Sequence, residues 1–307
     1  MPVPSRGLLL TYTDVGSKLR SSAFEQWHDM EHVWPLLNLP GPLFLSATRW
    51  TAADCIAPAH LALYDLATPS AVHDPTYQEL IEPDGGYDTD MTSDGEHDGR
   101  RAPNRRHSIL PDKLELMERR VYEPVAEKSR WDSAIDEGDE EESDGDSIGG
   151  PVRGEPGKYM TVVEVEMKKF AEAEFNRWFD EEHIPLLSRV PGWVRSRRFV
   201  LKEVLGAYGS GMGCDGDEPG AGDGASERVR KRVLVGGCGG RGREVKEERP
   251  PRYLALHEWT SIDAFQSKEF RHATSTPWRM QVLKEDRVLE YRIRVFRVAR
   301  SWGRFET

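Results

Sequence analysis

Cysteine is scarce in this sequence. Cys55, Cys214 and Cys238 are the three in 307 residues, and no two form a C-x-x-C pair. That excludes a disulfide framework and points to a reducing, cytoplasmic setting. Long apolar runs are missing as well. The N-terminus offers only "GLLL" (7–10) with no cleavage-site pattern, and nothing approaches the ~20 apolar residues of a membrane helix. Hydrophobic residues make up 37% of the chain and charged ones 31%, a dilute core for a globular protein. The dilution is local. Residues 82–99 hold seven acids and 132–147 nine, with no Lys or Arg in either stretch. Those 16 negative charges exceed the net charge of −11, so the rest of the chain carries about +5 (−11 plus 16). The acidic balance therefore belongs to loops, and neither nucleic acid nor membrane is an expected partner.

Three segments lack periodicity and apolar residues: an insert at about 83–107, a linker at 127–157 and a Gly-rich insert at about 206–250. Each buries too little to offset its chain entropy and is expected to be disordered. What remains is periodic. Strands are expected at 8–13, 43–50, 60–66 and 113–125, with a helix at 21–34 that Pro35 stops and a weaker one near 69–81. The same β-α-β-β-α-β order returns at 158–167, 171–184, 193–202, 252–259, 261–270 and 287–299.

The repetition extends to residues. "FEQWHDMEHVWPLLNLPG" (24–41) aligns without a gap on "FNRWFDEEHIPLLSRVPG" (175–192) at an offset of 151. Phe24/Phe175, Trp27/Trp178, Asp29/Asp180, Glu31/Glu182 and His32/His183 coincide, and so do Pro40-Gly41 and Pro191-Gly192. Further on, Arg49-Trp50 meets Arg198-Phe199, "LALYD" (61–65) meets "LALHE" (254–258), and "RVYEPV" (120–125) meets "RVFRVA" (294–299). The chain is an internal duplication. Residues 1–126 and 158–302 form two ferredoxin-like β-α-β-β-α-β repeats of an α+β fold. Packing them sheet to sheet covers the open faces and makes a pseudo-dimeric α/β barrel, with a mostly apolar cleft between sheet and helices in each half.

The motif F-x-x-W-x-D-x-E-H in both halves, with "YLALHEW" (253–259) and "TPWR" (276–279), resembles the fungal EthD-like proteins of the dimeric α/β-barrel superfamily. The first half departs from the pattern, with His28 where the second has Phe179 and no T-P-W-R. The resemblance implies the barrel fold. It also implies oxidoreductase-type or secondary-metabolism chemistry on a hydrophobic compound, in a superfamily that includes cofactor-independent oxygenases, cyclases, decarboxylases and heme-binding enzymes.

The string His28-Asp29-Met30-Glu31-His32 reads as H-x-x-E-H, a zinc-peptidase signature. The second copy holds Phe179 at the place of His28, so the duplication keeps D-x-E-H rather than the metal pattern. No metal is expected, and His28 reads as an incidental surface residue. At 100° per residue Glu31 falls inside the stripe of Phe24, Trp27 and Trp34, and Glu182 repeats the arrangement with Phe175 and Trp178. A carboxylate among aromatics beside a histidine suits general acid–base work. Glu31, His32, Glu182 and His183 are thus the candidate catalytic residues. The competing reading has Glu pairing with Arg49 or Arg198 and His capping the helix. Trp27, Trp178, Arg49, Arg198, Tyr64, His257 and Trp278 are candidate substrate-binding residues: aromatic walls, or groups able to steady an oxyanion. The Gly-rich strings "GSGMG" (209–213) and "VLVGGCGGRG" (233–242) lead into no helix and do not qualify as phosphate loops.

The expected function is cofactor-independent proton abstraction from a small hydrophobic aromatic or polyketide-like compound, of oxygenase, cyclase or decarboxylase type. The alternative is a non-catalytic barrel that binds an apolar ligand or serves a stress response, and heme binding is a third reading. A small hydrophobic ligand is the expected partner, with self-association left open.

Overall fold

A computed structural model describes residues 6–81, 113–130, 132, 156–208 and 249–303. Most of the two inserts and the linker, and both Gly-rich strings, lie outside the described residues.

Each repeat builds four strands. They are β1 (Gly7–Asp14), β2 (Phe44–Ala52), β3 (His60–Leu66) and β4 (Leu116–Ser129), then β5 (Tyr159–Met167), β6 (Trp193–Tyr208), β7 (Tyr253–Trp259) and β8 (Val288–Gly303). All eight join one closed barrel in the order β1-β3-β2-β8-β5-β7-β6-β4. Within each half the order is the ferredoxin-like one, fourth-first-third-second. The halves do more than stack their sheets. β2 pairs antiparallel with β8, and β4 with β6, so each sheet edge is closed by the other repeat. This requires long strands at the seams. β4 runs to Ser129, β6 to Tyr208 and β8 to Gly303, beyond the expected ends of the periodic segments.

The strands alternate between two apolar environments. Leu8, Leu10 and Tyr12 of β1 point into the barrel with Trp50, Leu61, Leu63 and Tyr122, and meet Met160, Val162, Phe199, Leu254, Leu256 and Phe296 of the other half. Leu9 points the other way, into the helix layer of the first half with Val33, Leu36, Leu37, Ala62 and Tyr64. Burial on both faces explains why these strands read as continuous apolar runs.

The first helix of each repeat differs from the expected one. In the first half α1 (Ser21–Trp27) passes through a widened turn (His28–His32) into α2 (Val33–Leu37). In the second half α4 (Glu172–Trp178) passes through Phe179–His183 into α5 (Ile184–Leu187). The widened turns bond i→i+5: Val33 N–H donates to the His28 carbonyl and Ile184 N–H to that of Phe179. Pro35 therefore does not stop the helix, which continues to Leu37. Pro185 comes two residues after its turn and Pro35 three, where the intrahelical ladder is already shifted and a missing N–H costs least. Both repeats then leave the helix through a glycine with positive φ, Gly41 at 78° and Gly192 at 86°. A Cβ at Gly192 would also lie 2.8 Å from Thr260 Oγ1. The second helices are α3 (Pro75–Ile81) in the first half, and α6 (Lys268–Ala273) and α7 (Pro277–Val282) in the second.

Candidate functional site

The widened turn moves every side chain after it by one position. Glu31 is exposed instead of lying in the aromatic stripe, and His28 and Asp29 are buried. His28 is therefore no surface residue: it is 3% exposed, and its Nε2 lies 3.0 Å from the Tyr64 hydroxyl. The carboxylate that meets the sheet is the Asp of D-x-E-H. Arg49 donates from Nε and Nη2 to the two oxygens of Asp29, each at 3.1 Å, and Arg300 adds a third bond at 3.0 Å. Burial pushes the Asp29 carboxyl up, but its bonds to His28, Arg49 and Arg300 outweigh this and hold it at about 2. In the second half Arg198 donates to Asp180 at 2.8 Å and to Asn176, and covers the Phe179 ring at 4.3 Å. Arg49 and Arg198 thus fasten the widened turns to β2 and β6; their guanidiniums are engaged there.

Glu182 is likewise engaged. It accepts from Trp178 Nε1 at 3.0 Å and from the Thr276 hydroxyl. Thr276 caps α7 by accepting from Arg279 N–H, so Glu182 ties the widened turn to the start of the T-P-W-R helix. Trp278 is half-buried beneath Arg177, whose guanidinium sits 5.0 Å from its ring centroid. The adjacent Arg279, not Trp278, reaches the cleft.

The expected cleft is present in the second half. It lies between the outer face of β5, β7 and β8 and the helices α4 to α7, with a volume of about 70 Å³. Its walls are apolar: Val163, Val165, Trp178, Phe179, Leu187, Trp259, Phe270 and Ile293. His183 stacks on Trp178 (4.5 Å between centroids, 24° between planes) and stands edge-on to His257 at 5.8 Å. His257, on β7, stacks on Phe179 at 5.9 Å. Burial pushes both imidazoles down, His257 to about 3 and His183 well below its ordinary value with the nearby His257 and Arg279 adding to the effect, so both rings are neutral. Among the described residues, His183 Nδ1 and His257 Nε2 have no hydrogen-bond partner. Arg279 and Tyr291, which lie 3.4 Å apart, line the cleft beside them. Among the described residues, no group of three or more His, Cys, Asp or Glu side chains could hold a metal ion.

The first half arranges the same parts differently. Trp27 stacks on His32 (5.0 Å, 25°), and burial pushes His32 down to about 3. Tyr64 stands where the second half has His257, and His28 where it has Phe179. Each half therefore carries a second imidazole 5.6–5.8 Å from the motif histidine, from the helix in one and from the strand in the other. Trp302, from the far end of β8, packs against His28 at 5.9 Å. His60 was not singled out in the sequence. It is buried against Phe24 at 4.7 Å, as its counterpart Tyr253 lies against Phe175 at 5.2 Å. Its position one residue before "LALYD" is the signal that would have found it.

Fold and site together define a single-chain pseudo-dimer of the dimeric α/β-barrel type, with an aromatic cleft in the second half lined by the half-buried His183 and the buried His257. No family model and no curated protein matches the chain. Among solved structures, it is similar to an anthrone oxidase-like protein (11% identity, 98% of this chain and 94% of the other, TM-score 0.48). A monooxygenase-like protein from Fusobacterium nucleatum (6%, 99% and 96%, 0.49) and a chlorite dismutase-like protein (10%, 97% and 96%, 0.47) are also similar. Likenesses at this level carry no conclusion about chemistry; the architecture rests on the strand order itself.

Proposed function

We propose that the second-half cleft binds a small hydrophobic aromatic or polyketide-like compound and removes a proton from it without an organic cofactor. The observation that supports this reading is the pair of unpartnered nitrogens, His183 Nδ1 and His257 Nε2, in an otherwise apolar cleft. A buried polar atom without a partner calls for a partner, and a ligand in the cleft would supply the missing bond to both of these.

Proton transfer to His183 makes an imidazolium beside a substrate anion. Two unit charges about 4 Å apart attract by roughly 4 kcal/mol at an effective dielectric near 20, equivalent to about three pH units. That is comparable with what burial removes from the neighbouring His257 ring. The site is therefore a weak base when empty and an adequate one against a proton whose loss leaves an anion in place. Arg279 and Tyr291 steady that anion. An enolate or phenolate of this kind is the common entry to oxygenation by dioxygen, cyclisation and decarboxylation.

The test is deuterium exchange into enolisable aromatic ketones, with dioxygen uptake followed in parallel. His183→Ala is expected to slow exchange by about 100-fold or more. The engagement of Glu182 in structural bonds favours the alternative of a ligand carrier. On that reading the wild-type protein binds the same ketones and exchanges no proton.

A further inference from the structure

The two halves cover the outer face of their last strands differently. Thr11 pairs with Ala62 and Val163 with Ala255, the alanines of "LALYD" and "LALHE", so the first strands correspond. On the other side of these strands Thr11 and Thr13 meet Arg119 and Met117, and Val163 and Val165 meet Ile293 and Tyr291. Met117 and Arg119 are therefore the counterparts of Tyr291 and Ile293, in keeping with the match of "RVYEPV" to "RVFRVA".

In the first half both positions are taken up. Met117 is buried with Val15, Phe24, Trp27 and Leu114, and Leu19 packs against them. Arg119 donates to the Tyr77 hydroxyl at 3.4 Å. In the second half Tyr291 is 39% and Ile293 47% exposed. Phe170 precedes Phe175 by the same interval as Leu19 precedes Phe24, but it is 71% exposed and gives no comparable cover. Tyr291 and Ile293 also line the cleft. The cleft thus runs out onto an uncovered apolar strip of β8. Its volume of about 70 Å³ is well under the ~150 Å³ that encloses a benzene. A ring seated beside His183 and His257 therefore projects through the open side, onto Tyr291 and Ile293.

We propose that Tyr291 and Ile293 form a subsite for an apolar tail, so that the ligand of the cleft is an aromatic compound bearing an alkyl or aryl substituent. Its polar end lies at the imidazoles and its tail along β8, where burial against the two exposed side chains adds affinity in proportion to the area covered. The inference rests on the second-half cleft being the ligand site.

Acetophenone and its longer analogue 4-acetylbiphenyl test this on the full chain. The longer ketone should bind about tenfold more tightly. That ratio should fall toward one in Ile293→Asp and persist in Ile293→Leu. With isoleucine δ1-methyl labels, and Ile293 assigned through Ile293→Val, the Ile293 methyl should shift further with 4-acetylbiphenyl than with acetophenone. Equal affinities, a ratio unmoved by Ile293→Asp, or a methyl shift no larger with the longer ketone would each overturn the proposal. So would a dimer in sedimentation that Ile293→Asp dissociates, because the strip would then be a contact between two copies of the chain. If Ile293→Asp does not fold, the wild-type ratio and the methyl shift decide. Neither readout needs turnover. Failed proton exchange with the ratio and the shift intact refutes the proposed function and not this subsite, whereas binding of neither ketone refutes both.

Discussion

Asp29 and Asp180 are the residues on which the helix layer turns. Each is the Asp of D-x-E-H, and each meets an arginine from the strand that follows the helix. Asp29 holds two, Arg49 and Arg300, and Arg49 is 5% exposed. Removing the carboxylate leaves the buried guanidinium with only Glu25, 3.2 Å from its Nη1 and 41% exposed at its side chain, as a counter-charge. Asp29→Ala is expected to lower unfolding free energy by about 3–5 kcal/mol, measured by urea denaturation, whereas Asp29→Ala with Arg49→Leu loses less. At this scale the sequence was partly legible. The paired motif named the helix, the arginines and both motif histidines. It placed Glu31 in the aromatic stripe by counting 100° per residue across a turn that does not obey that count, and Glu31 is exposed, whereas Glu182 does reach Trp178. It also took His28 for a surface group, although His28 holds Tyr64.

The widened turn is the element that produced those errors, and both repeats keep it. Buried positions run Phe175, Trp178, Phe179, then Ile184 and Leu187, one later than an uninterrupted α-helix would place them. A single residue has in effect been inserted, and exposed Glu181 lies within it. Deleting Glu181 brings Trp178 and His183 to i, i+4, where their rings can still stack. Pro185 then sits inside an ordinary α-helix and costs about 3 kcal/mol. Denaturation should show that loss for the deletion and its recovery when Pro185→Ala is added. A deletion no less stable than wild type would mean that the proline does not depend on the widened turn. Proline after the motif in both copies was visible in the sequence. Its reading as a stop was the ordinary one, and only the i→i+5 bond reverses it.

At the scale of the whole molecule, the barrel keeps an unusual number of imidazoles neutral. His28, His32, His60, His183 and His257 are all pushed down, in each case first by burial. The sign of the linkage follows. The unfolded chain takes up protons on these rings below about pH 6.5 and the folded protein does not, so their stabilising effect is complete above that value and is lost as the pH falls. For His32 and His257 the loss continues down to about pH 3. Asp29, held at about 2, adds a loss below its ordinary value of 3.8. Each buried imidazole contributes a slope of up to about 1.4 kcal/mol per pH unit. The urea midpoint should therefore change little between pH 7.5 and about 6.5 and fall from there to pH 5. A flat profile would mean that the rings are already charged in the folded state.

The sequence by itself determined that this chain is a duplication, that each copy is a β-α-β-β-α-β unit, and that Trp, Asp, His and Arg recur in register. Those properties are periodic, and periodicity survives in one dimension. The tertiary structure alone decided that the long last strands cross-pair to close the barrel, and that a one-residue widening exchanges Glu for Asp at the sheet. It also decided that Trp302 fills the space beside His28 while the space beside His183 stays open. Each depends on which atoms from distant segments arrive within a few ångströms of one another, and no local pattern records that distance.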